Sequence, residues 1–505
     1  MEFGDRARRA GIALAVFAAT ATLVYFGNGL APRWVLMWFA PLPVLLFALR
    51  RPAWQAGFIA AGAWLAGGLN LWSYFQDLGL AVAWLLYFGI SALVFAAGVL
   101  LTRALARRSA VWSAWLTLPA IWVSFEYLRN LLWPHGSAAC IAYSQLNFLP
   151  FLQMASLTGP WGMGFVLMLF PVGLALSLHL WLSARKQAIA ILGSTLGIVA
   201  AGLIFGAARL AMPQPGPQVK VGLVASDVYQ GVAQSNAATE RLFEEYAQPA
   251  QELVARGAQL VVLPEILGII TDPDVARADV TFQRIADQTG AVVVAGIEHV
   301  AGAVQRNEAR IYAPGVAVRS YDKEHLLPPF ENIYTPGTSR TLFEAPGKAG
   351  RQTWGVAICK DLDFTEPARG YGAAGVGLLM APASDFRMDG FWHGHIAVMR
   401  AVEDGFSLVR TARKGLLTVA DNRGRIVAET PSNAAPFSTL LATVPAGHDR
   451  TLFLLLGDWF GWGAIALLLF VVGRLWRLKS FGSTGKSGIP EAEGFRAAVT
   501  ADGWD

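Results

Sequence analysis

Apolar and polar positions alternate on two different scales along this chain. Eight long apolar segments stand out, at roughly 10–27, 33–49, 54–74, 79–102, 110–128, 160–183, 187–211 and 452–473. Each approaches the roughly 20 residues a helix needs to cross a bilayer. The second is the shortest, and Pro41 and Pro43 interrupt it. Between the seventh and eighth the pattern changes. Short apolar or β-branched runs at 219–225 (VKVGLVA), 259–263 (QLVVL), 291–297 (AVVVAGI), 354–358 (WGVAI) and 376–380 (VGLLM) alternate with helix-like stretches such as 236–256 and 393–404. Runs of this kind predict buried strands, and their alternation with helices predicts a layered α/β domain.

The expected organisation is therefore a polytopic α-helical membrane domain of about eight transmembrane helices plus an α/β domain. Residues 1–211 form seven membrane helices, 212–450 an extramembrane domain, and 451–479 a last membrane helix with a basic flank. The Gly/Ser/Ala-rich stretch 480–505 is expected to be disordered. Composition agrees. Of the 505 residues, 54% are hydrophobic and only 15% charged, against about 25% charged in ordinary soluble domains.

Charge gives the orientation. Residues 1–211 carry 13 Lys+Arg against 4 Asp+Glu, net +9, whereas 212–450 carry 22 against 26, net −4. The basic residues recur in every second connection: Arg6, Arg8 and Arg9; Arg50 and Arg51; Arg103, Arg107 and Arg108; Arg185 and Lys186; Arg474, Arg477 and Lys479. Arg33 and Arg129 are the exceptions. Basic connections stay cytoplasmic, so both termini are expected inside and 212–450 outside. The basic start of the first segment resembles a leader peptide, but the spans that follow favour an uncleaved helix. The mildly acidic middle argues against a nucleic-acid partner.

Only two cysteines occur, Cys140 and Cys359, which excludes a disulfide scaffold or a cysteine-based zinc cluster. Cys359 ends an apolar run and precedes a polar turn, KDLDF. Such a position suits a nucleophile, although a free cysteine is more often an inert packing residue. Glu265 ends another run (VVLPE), where a carboxylate serves as a general base or merely caps a helix. Lys323, in YDKEHLLPPFE, is placed to stabilise an oxyanion or simply to face water. Glu331, eight residues on, would orient Lys323, assist the base, or pair with the lysine. Glu126 and Arg129 read either as a functional intramembrane pair or as an i,i+3 ion pair at a helix end. His393 and His395 lack the further ligands a metal site requires, so no metal and no cofactor are expected.

In combination the motifs become specific. LPE at 263–265, DKEHLLPPFE at 322–331 and ICKDLDFTEPAR at 358–369 supply Glu, Lys and Cys in that order. With Trp392-His393, the run Met399-Arg400-Ala401-Val402-Glu403-Asp404-Gly405, Val409-Arg410 and the turn Asp421-Asn422-Arg423-Gly424, residues 218–445 resemble the nitrilase (carbon–nitrogen hydrolase) superfamily. That resemblance implies an αββα sandwich and a Glu265–Lys323–Cys359 triad. Seven apolar segments before such a domain and one after it resemble the bacterial apolipoprotein N-acyltransferases, as do Ala142-Tyr143-Ser144-Gln145, the run 149–155 and Gly159-Pro160-Trp161-Gly162.

The second resemblance implies an inner-membrane enzyme, its catalytic domain on the periplasmic or outer face. It would move an acyl chain from a phospholipid, through a thioester on Cys359, to the α-amine of the diacylglyceryl-cysteine of an apolipoprotein. The enzyme is expected to act as a monomer. Apolar loops around 327–335 and 384–392 are expected to cover Cys359 and dip toward the membrane. The chain departs from the family after its cysteine, where Lys360-Asp361 replaces the usual Tyr-Glu. Asp361 keeps a carboxylate, and Lys360 offers a cation to lower the pKa of Cys359 or bind a phosphate. The segment 226–240 also lacks the family's Trp. Two alternatives remain: a membrane-anchored carbon–nitrogen hydrolase (amidase) using the same triad, and a transporter or scaffold with an inactive domain.

Overall fold

A computed structural model describes residues 2–228, 233–345 and 352–484, with side chains of 6–228, 233–345 and 352–476. Among the described residues, seven helices of nine or more residues open the chain: α1 (Glu2–Gly27), α2 (Leu42–Arg50), α3 (Ala53–Gly67), α4 (Ala81–Ala106), α5 (Val111–Leu132), α6 (Ala155–Leu180) and α7 (Arg185–Ala211). Of the eight predicted segments, five form helices long and apolar enough to cross a membrane: Arg6–Gly27, Ala81–Ala106, Ala155–Leu180, Arg185–Ala211 and Trp459–Trp476.

The other three are more irregular, for local reasons. Pro41 and Pro43 split the second segment into Trp34–Met37 and α2, since proline cannot donate to a preceding turn. The third ends at Gly67 and continues as a 3₁₀ turn and a short helix, Trp72–Asp77. The fifth, α5, is 22 residues long but carries Pro119, Glu126 and Arg129. Gly159, with φ of +61°, bends the start of α6, and a Cβ there would lie 2.5 Å from the Phe453 ring.

Among its described residues the extramembrane part contains thirteen strands: β1 (Gln218–Ala225), β2 (Leu260–Val262), β3 (Ile269–Thr271), β4 (Val292–Ala301), β5 (Val304–Tyr312), β6 (Arg319–Asp322), β7 (Thr341–Glu344), β8 (Thr353–Val356), β9 (Val376–Ser384), β10 (Ser407–Arg413), β11 (Leu416–Ala420), β12 (Ile426–Pro431) and β13 (Ser438–Pro445). One sheet runs β13-β1-β2-β4-β5-β6, with β3 paired to β4, and the other β12-β11-β10-β9-β8-β7. The adjacent pairs β1/β2, β2/β4, β8/β9 and β9/β10 are parallel.

Period-two alternation explains the layers. Leu260, Val262, Val292, Val294, Leu378 and Met380 meet between the two sheets. Their neighbours Val261, Val293 and Ala295 pack instead against α8 (Asn236–Ala255) and α9 (Val275–Thr289) through Phe243, Tyr246 and Phe282. Leu379 and Ala381 pack against Ala397 and Ala401 of α10 (Gly390–Asp404). Both faces of these central strands are buried, hence their continuous apolar sequence. The outcome is the expected αββα sandwich.

The sandwich rests on the membrane helices through the opposite face of α10, where Ile396, Met399 and Val402 join the core formed by α2, α4, α5 and α6. Polar ties reinforce the seam. Arg400 donates to Tyr143 Oη (3.0 Å), Gln153 to the Arg423 carbonyl (2.8 Å), and Trp161 to Asp458 (2.6 Å). These contacts give a structural role to the runs around 142–145, 149–155 and 159–162. The chain ends in α11 (Trp459–Thr484). Residues 485–505, most of the stretch expected to be disordered, lie outside the described residues, as do 229–232 of the segment without a Trp.

Candidate active site

Glu265, Lys323 and Cys359 lie just beyond the carboxyl ends of β2, β6 and β8 and line one cavity of about 570 Å³. Ligands of open α/β sheets gather beyond such strand ends. At Glu265 the chain passes very close to β4. A Cβ on Gly296 would sit 2.6 Å from the Glu265 Cα, so only glycine fits there. The next residue, Ile266, has φ of +45°, and Cys359 has φ of +43°. Neither side chain favours that region, and strain of this kind clusters where side-chain aim matters.

The polar wall is tightly interlocked. Lys323 Nζ donates to Glu265 Oε1 (2.8 Å) and Glu331 Oε1 (2.9 Å). Asn307 Nδ2, on β5, donates to the same two oxygens at 2.6 and 2.9 Å. Glu331 Oε2 accepts from the Leu327 backbone N–H (2.7 Å), which folds the 327–331 loop onto the lysine. Lys323 and Glu265 are almost wholly buried. Burial opposes the lysine's charge, yet Glu265 and Glu331 outweigh it and hold the ammonium well above the ordinary lysine value.

Cys359 begins a 3₁₀ turn, Cys359–Asp363. Its Sγ faces the Ser384 carbonyl at 3.7 Å. Burial, and then the charge of Glu265, push this thiol up, and the opposing Lys323 does not reverse the effect. Both effects favour a resting thiol that needs a base over a thiolate preformed beside Lys360.

Asp361 is fully buried and serves as a brace. Its Oδ1 accepts from the backbone N–H groups of Glu324 (3.2 Å) and His325 (2.8 Å), and its Oδ2 from Tyr321 Oη (2.8 Å) and the Ile358 N–H (2.9 Å). One carboxylate thus fastens the loop bearing Lys323 to the turn bearing Cys359. Lys360 points the other way. Its Nζ lies 3.1 Å from His135 Nδ1 and 3.8 Å from Asp363 Oδ2. Burial lowers its pKa, and burial and Lys360 together lower His135 to about 4. The turn is also held from the membrane side, since Ser137 donates through N and Oγ to the Asp363 carbonyl at 2.9 and 2.6 Å.

Three contributors carried no sequence motif of their own. Asn307 sits mid-strand. Asp385, just after β9, takes a bidentate pair from Arg410 at 3.0 and 2.6 Å. Tyr74, from the membrane half, donates to Asp389 (2.6 Å), whose other oxygen accepts from the Phe386 N–H (2.8 Å). Arg410 lay within a recognised run, but nothing local marked its partner.

Glu126 and Arg129 do not form the i,i+3 ion pair that is one of their two readings. Glu126 accepts from the Ile141 N–H, and Arg129 donates to Tyr87 Oη, the Ala138 carbonyl and Cys140 Sγ. Cys140 is buried in that packing. His393 turns to Asp389 (3.4 Å) and His395 to Glu429 (3.1 Å). Cys359, Asp385 and His393 each bring one potential ligand atom within 4.8 Å of the others. The Arg410 guanidinium already occupies both Asp385 oxygens, so a divalent cation would face a buried positive charge there.

The remaining wall is apolar. A narrower cavity of about 130 Å³ is lined by Leu71, Tyr74, Phe75, Phe88 and other groups of the membrane half. It shares Leu327, Phe330, Lys360, Phe386 and His393 with the polar cavity, so the two adjoin. Phe330, Ile333 and Met388 stand exposed on the two flanking loops.

Residues 20–173 match the apolipoprotein N-acyltransferase N-terminal domain, and residues 210–447 match the carbon–nitrogen hydrolase family. Across 94% of the chain and 97% of the relative's length, the sequence is 26% identical to an apolipoprotein N-acyltransferase of Geobacter metallireducens. It is 29% identical to one of Rhizobium meliloti over 83% of each. Among solved structures, a mutant amidase from Nesterenkonia sp. AN1 aligns at 20% identity with a TM-score of 0.39, covering 47% of this chain and 93% of its own.

Proposed function

The chain belongs to the apolipoprotein N-acyltransferase family, a membrane-embedded branch of the carbon–nitrogen hydrolase superfamily, and from that premise we propose that it transfers a phospholipid acyl chain through Cys359 to a diacylglyceryl-cysteine α-amine. The observation that carries this reading is the junction of two unlike cavities: a polar one holding Glu265, Lys323 and Cys359, and an apolar one walled by membrane helices.

The raised thiol sets the first step. Glu265 takes the Cys359 proton as Sγ attacks the ester carbonyl of the donor. The Lys323 ammonium and a backbone N–H of the Cys359–Asp363 turn stabilise the tetrahedral oxyanion. The intermediate collapses, Glu265 returns its proton to the departing lysophospholipid oxygen, and a thioester remains on Cys359. The acceptor amine then attacks that carbonyl and gives its proton to Glu265; the C–S bond breaks, Glu265 passes that proton to Sγ, and the amide leaves with the Cys359 thiol restored. Glu331 and Asn307 keep Lys323 and Glu265 in register, and Asp361 fixes the turn. The apolar wall holds the donor chains and keeps water from the thioester.

On this reading the protein sits in the bacterial inner membrane with both termini cytoplasmic and the sandwich on the periplasmic or outer face, an orientation that the basic connections support. It is taken to act as a monomer. A synthetic diacylglyceryl peptide incubated with the purified protein and phospholipid tests the reading. A third acyl chain on the peptide's α-amine, absent with Cys359→Ser, is expected. Release of free fatty acid or cleavage of amides, with no triacylated peptide, would favour the hydrolase alternative.

A further inference from the structure

The cavity walled by membrane helices is largely apolar, its charged lining being Arg129, Asp363 and Lys360, and of these only Lys360 also lines the cavity that holds the nucleophile. We infer that Lys360 is the residue that recognises the phosphodiester of the donor lipid and so sets donor specificity, an inference that rests on the acyl transfer proposed above.

Three observations carry it. Lys360 is 2% exposed and belongs to the linings of both cavities, so the residue stands where they adjoin. Second, its partners leave capacity for an anion. His135 Nδ1, 3.1 Å away, accepts one N–H, since an ammonium only donates. Asp363 Oδ2, at 3.8 Å, lies beyond the roughly 2.7–2.9 Å of a charge-assisted hydrogen bond. Third, a second cation lines the same cavity. Arg129 spends its hydrogen bonds on Tyr87 Oη, the Ala138 carbonyl and Cys140 Sγ, all uncharged acceptors. Burial also lowers the Lys360 pKa, a penalty that a bound anion relieves.

The spacing suits a glycerophospholipid. Cys359 and Lys360 are adjacent, with Cα atoms about 3.8 Å apart, and both line the same cavity. In the donor, one glycerol bridges the ester carbonyls to the phosphate. The inferred pose puts the phosphate on Lys360, the chains among Leu71, Phe75 and Phe88, and an ester carbonyl at Cys359 Sγ. A lysine meets phosphate as a point charge, so it reads the phosphodiester and not the group beyond it.

The test uses the full-length protein in nanodiscs and measures initial rates of acyl-enzyme formation with phosphatidylglycerol and with diacylglycerol of the same chains. Wild type should favour the phospholipid by about tenfold to a hundredfold, mostly through KM, because the phosphate is held equally in ground and transition states. Lys360→Gln should collapse that ratio toward one, and Lys360→Arg should retain it. An unchanged ratio in Lys360→Gln, or no preference in wild type, overturns the inference while acylation itself still stands. Acylation of wild type by neither lipid instead overturns the transferase reading and this inference with it. Inorganic phosphate alone should compete weakly. Competition by it as strong as by the lipid would assign the site to a free anion and contradict a lipid headgroup site.

Discussion

The two walls of the candidate site obey different physics. The wall supplied by the sandwich is a closed network, in which Lys323, Glu265, Glu331 and Asn307 share two carboxylate oxygens and Asp361 satisfies four donors. Every member depends on its neighbours, so a change of one atom strands buried polar groups. The wall supplied by the membrane half is a loose apolar enclosure of Leu71, Tyr74, Phe75 and Phe88, tied to the sandwich by few polar bonds, Tyr74 to Asp389 among them. It discriminates by surface area, whose energy accrues gradually. Chemistry thus sits on the rigid wall and substrate accommodation on the tolerant one.

That contrast predicts a hierarchy of effects. Changes in the polar wall should cost most and act on every donor alike. Glu265→Gln keeps the shape but cannot accept the thiol proton, and acyl-enzyme formation should fall about 10²–10⁴-fold. Rapid-quench kinetics with long- and short-chain phospholipids would check this, and a loss confined to long chains would break the comparison. Asp361→Ala should come next. It strands the Ile358, Glu324 and His325 N–H groups and the Tyr321 hydroxyl, so the fold should lose at least about 3 kcal/mol of stability. A thermal shift that leaves the midpoint unmoved would remove the brace from the account.

The apolar wall should respond more mildly and selectively. Phe386 lines both cavities. Phe386→Ser should slow acylation about tenfold with long-chain donors and much less with short-chain ones, on the scale of about 0.8 kcal/mol per buried CH₂. Equal slowing of both would mean the wall serves chemistry after all. The smallest expected effect concerns pH. Because burial and Glu265 push the Cys359 thiol up, the thiolate fraction at neutral pH lies below that of a free cysteine. Alkylation by iodoacetamide without lipid should therefore keep rising above pH 8.5, the ordinary midpoint. A plateau below that value would point to a preformed thiolate.

The same contrast governs what could be read in the sequence. The strand-end residues Glu265, Lys323 and Cys359 stood in short, chemically distinctive segments, and period-two burial made the central strands legible as apolar runs. Asn307 was not legible, because an asparagine inside a strand carries no local signal and acquires its role only when β5 lies beside β2 through β4. Asp385 was silent for the same reason, as its meaning depends on Arg410 across β9 and β10. Asp361 and Lys360 were noticed together as a departure, yet only the geometry separates them: one ties two loops, the other faces the membrane side. The apolar wall was the least legible. Leu71 and Phe88 look like any membrane-helix residues, and the third apolar segment hid the break after Gly67 that lets Tyr74 reach Asp389.

The most direct test is the mass of the intact protein after incubation with phospholipid and no acceptor, for wild type and Cys359→Ser. The account predicts one hydroxylamine-labile acyl adduct on wild type alone, discharged by a diacylglyceryl peptide. A folded wild type that gains no adduct, or an adduct that persists in Cys359→Ser, would contradict it.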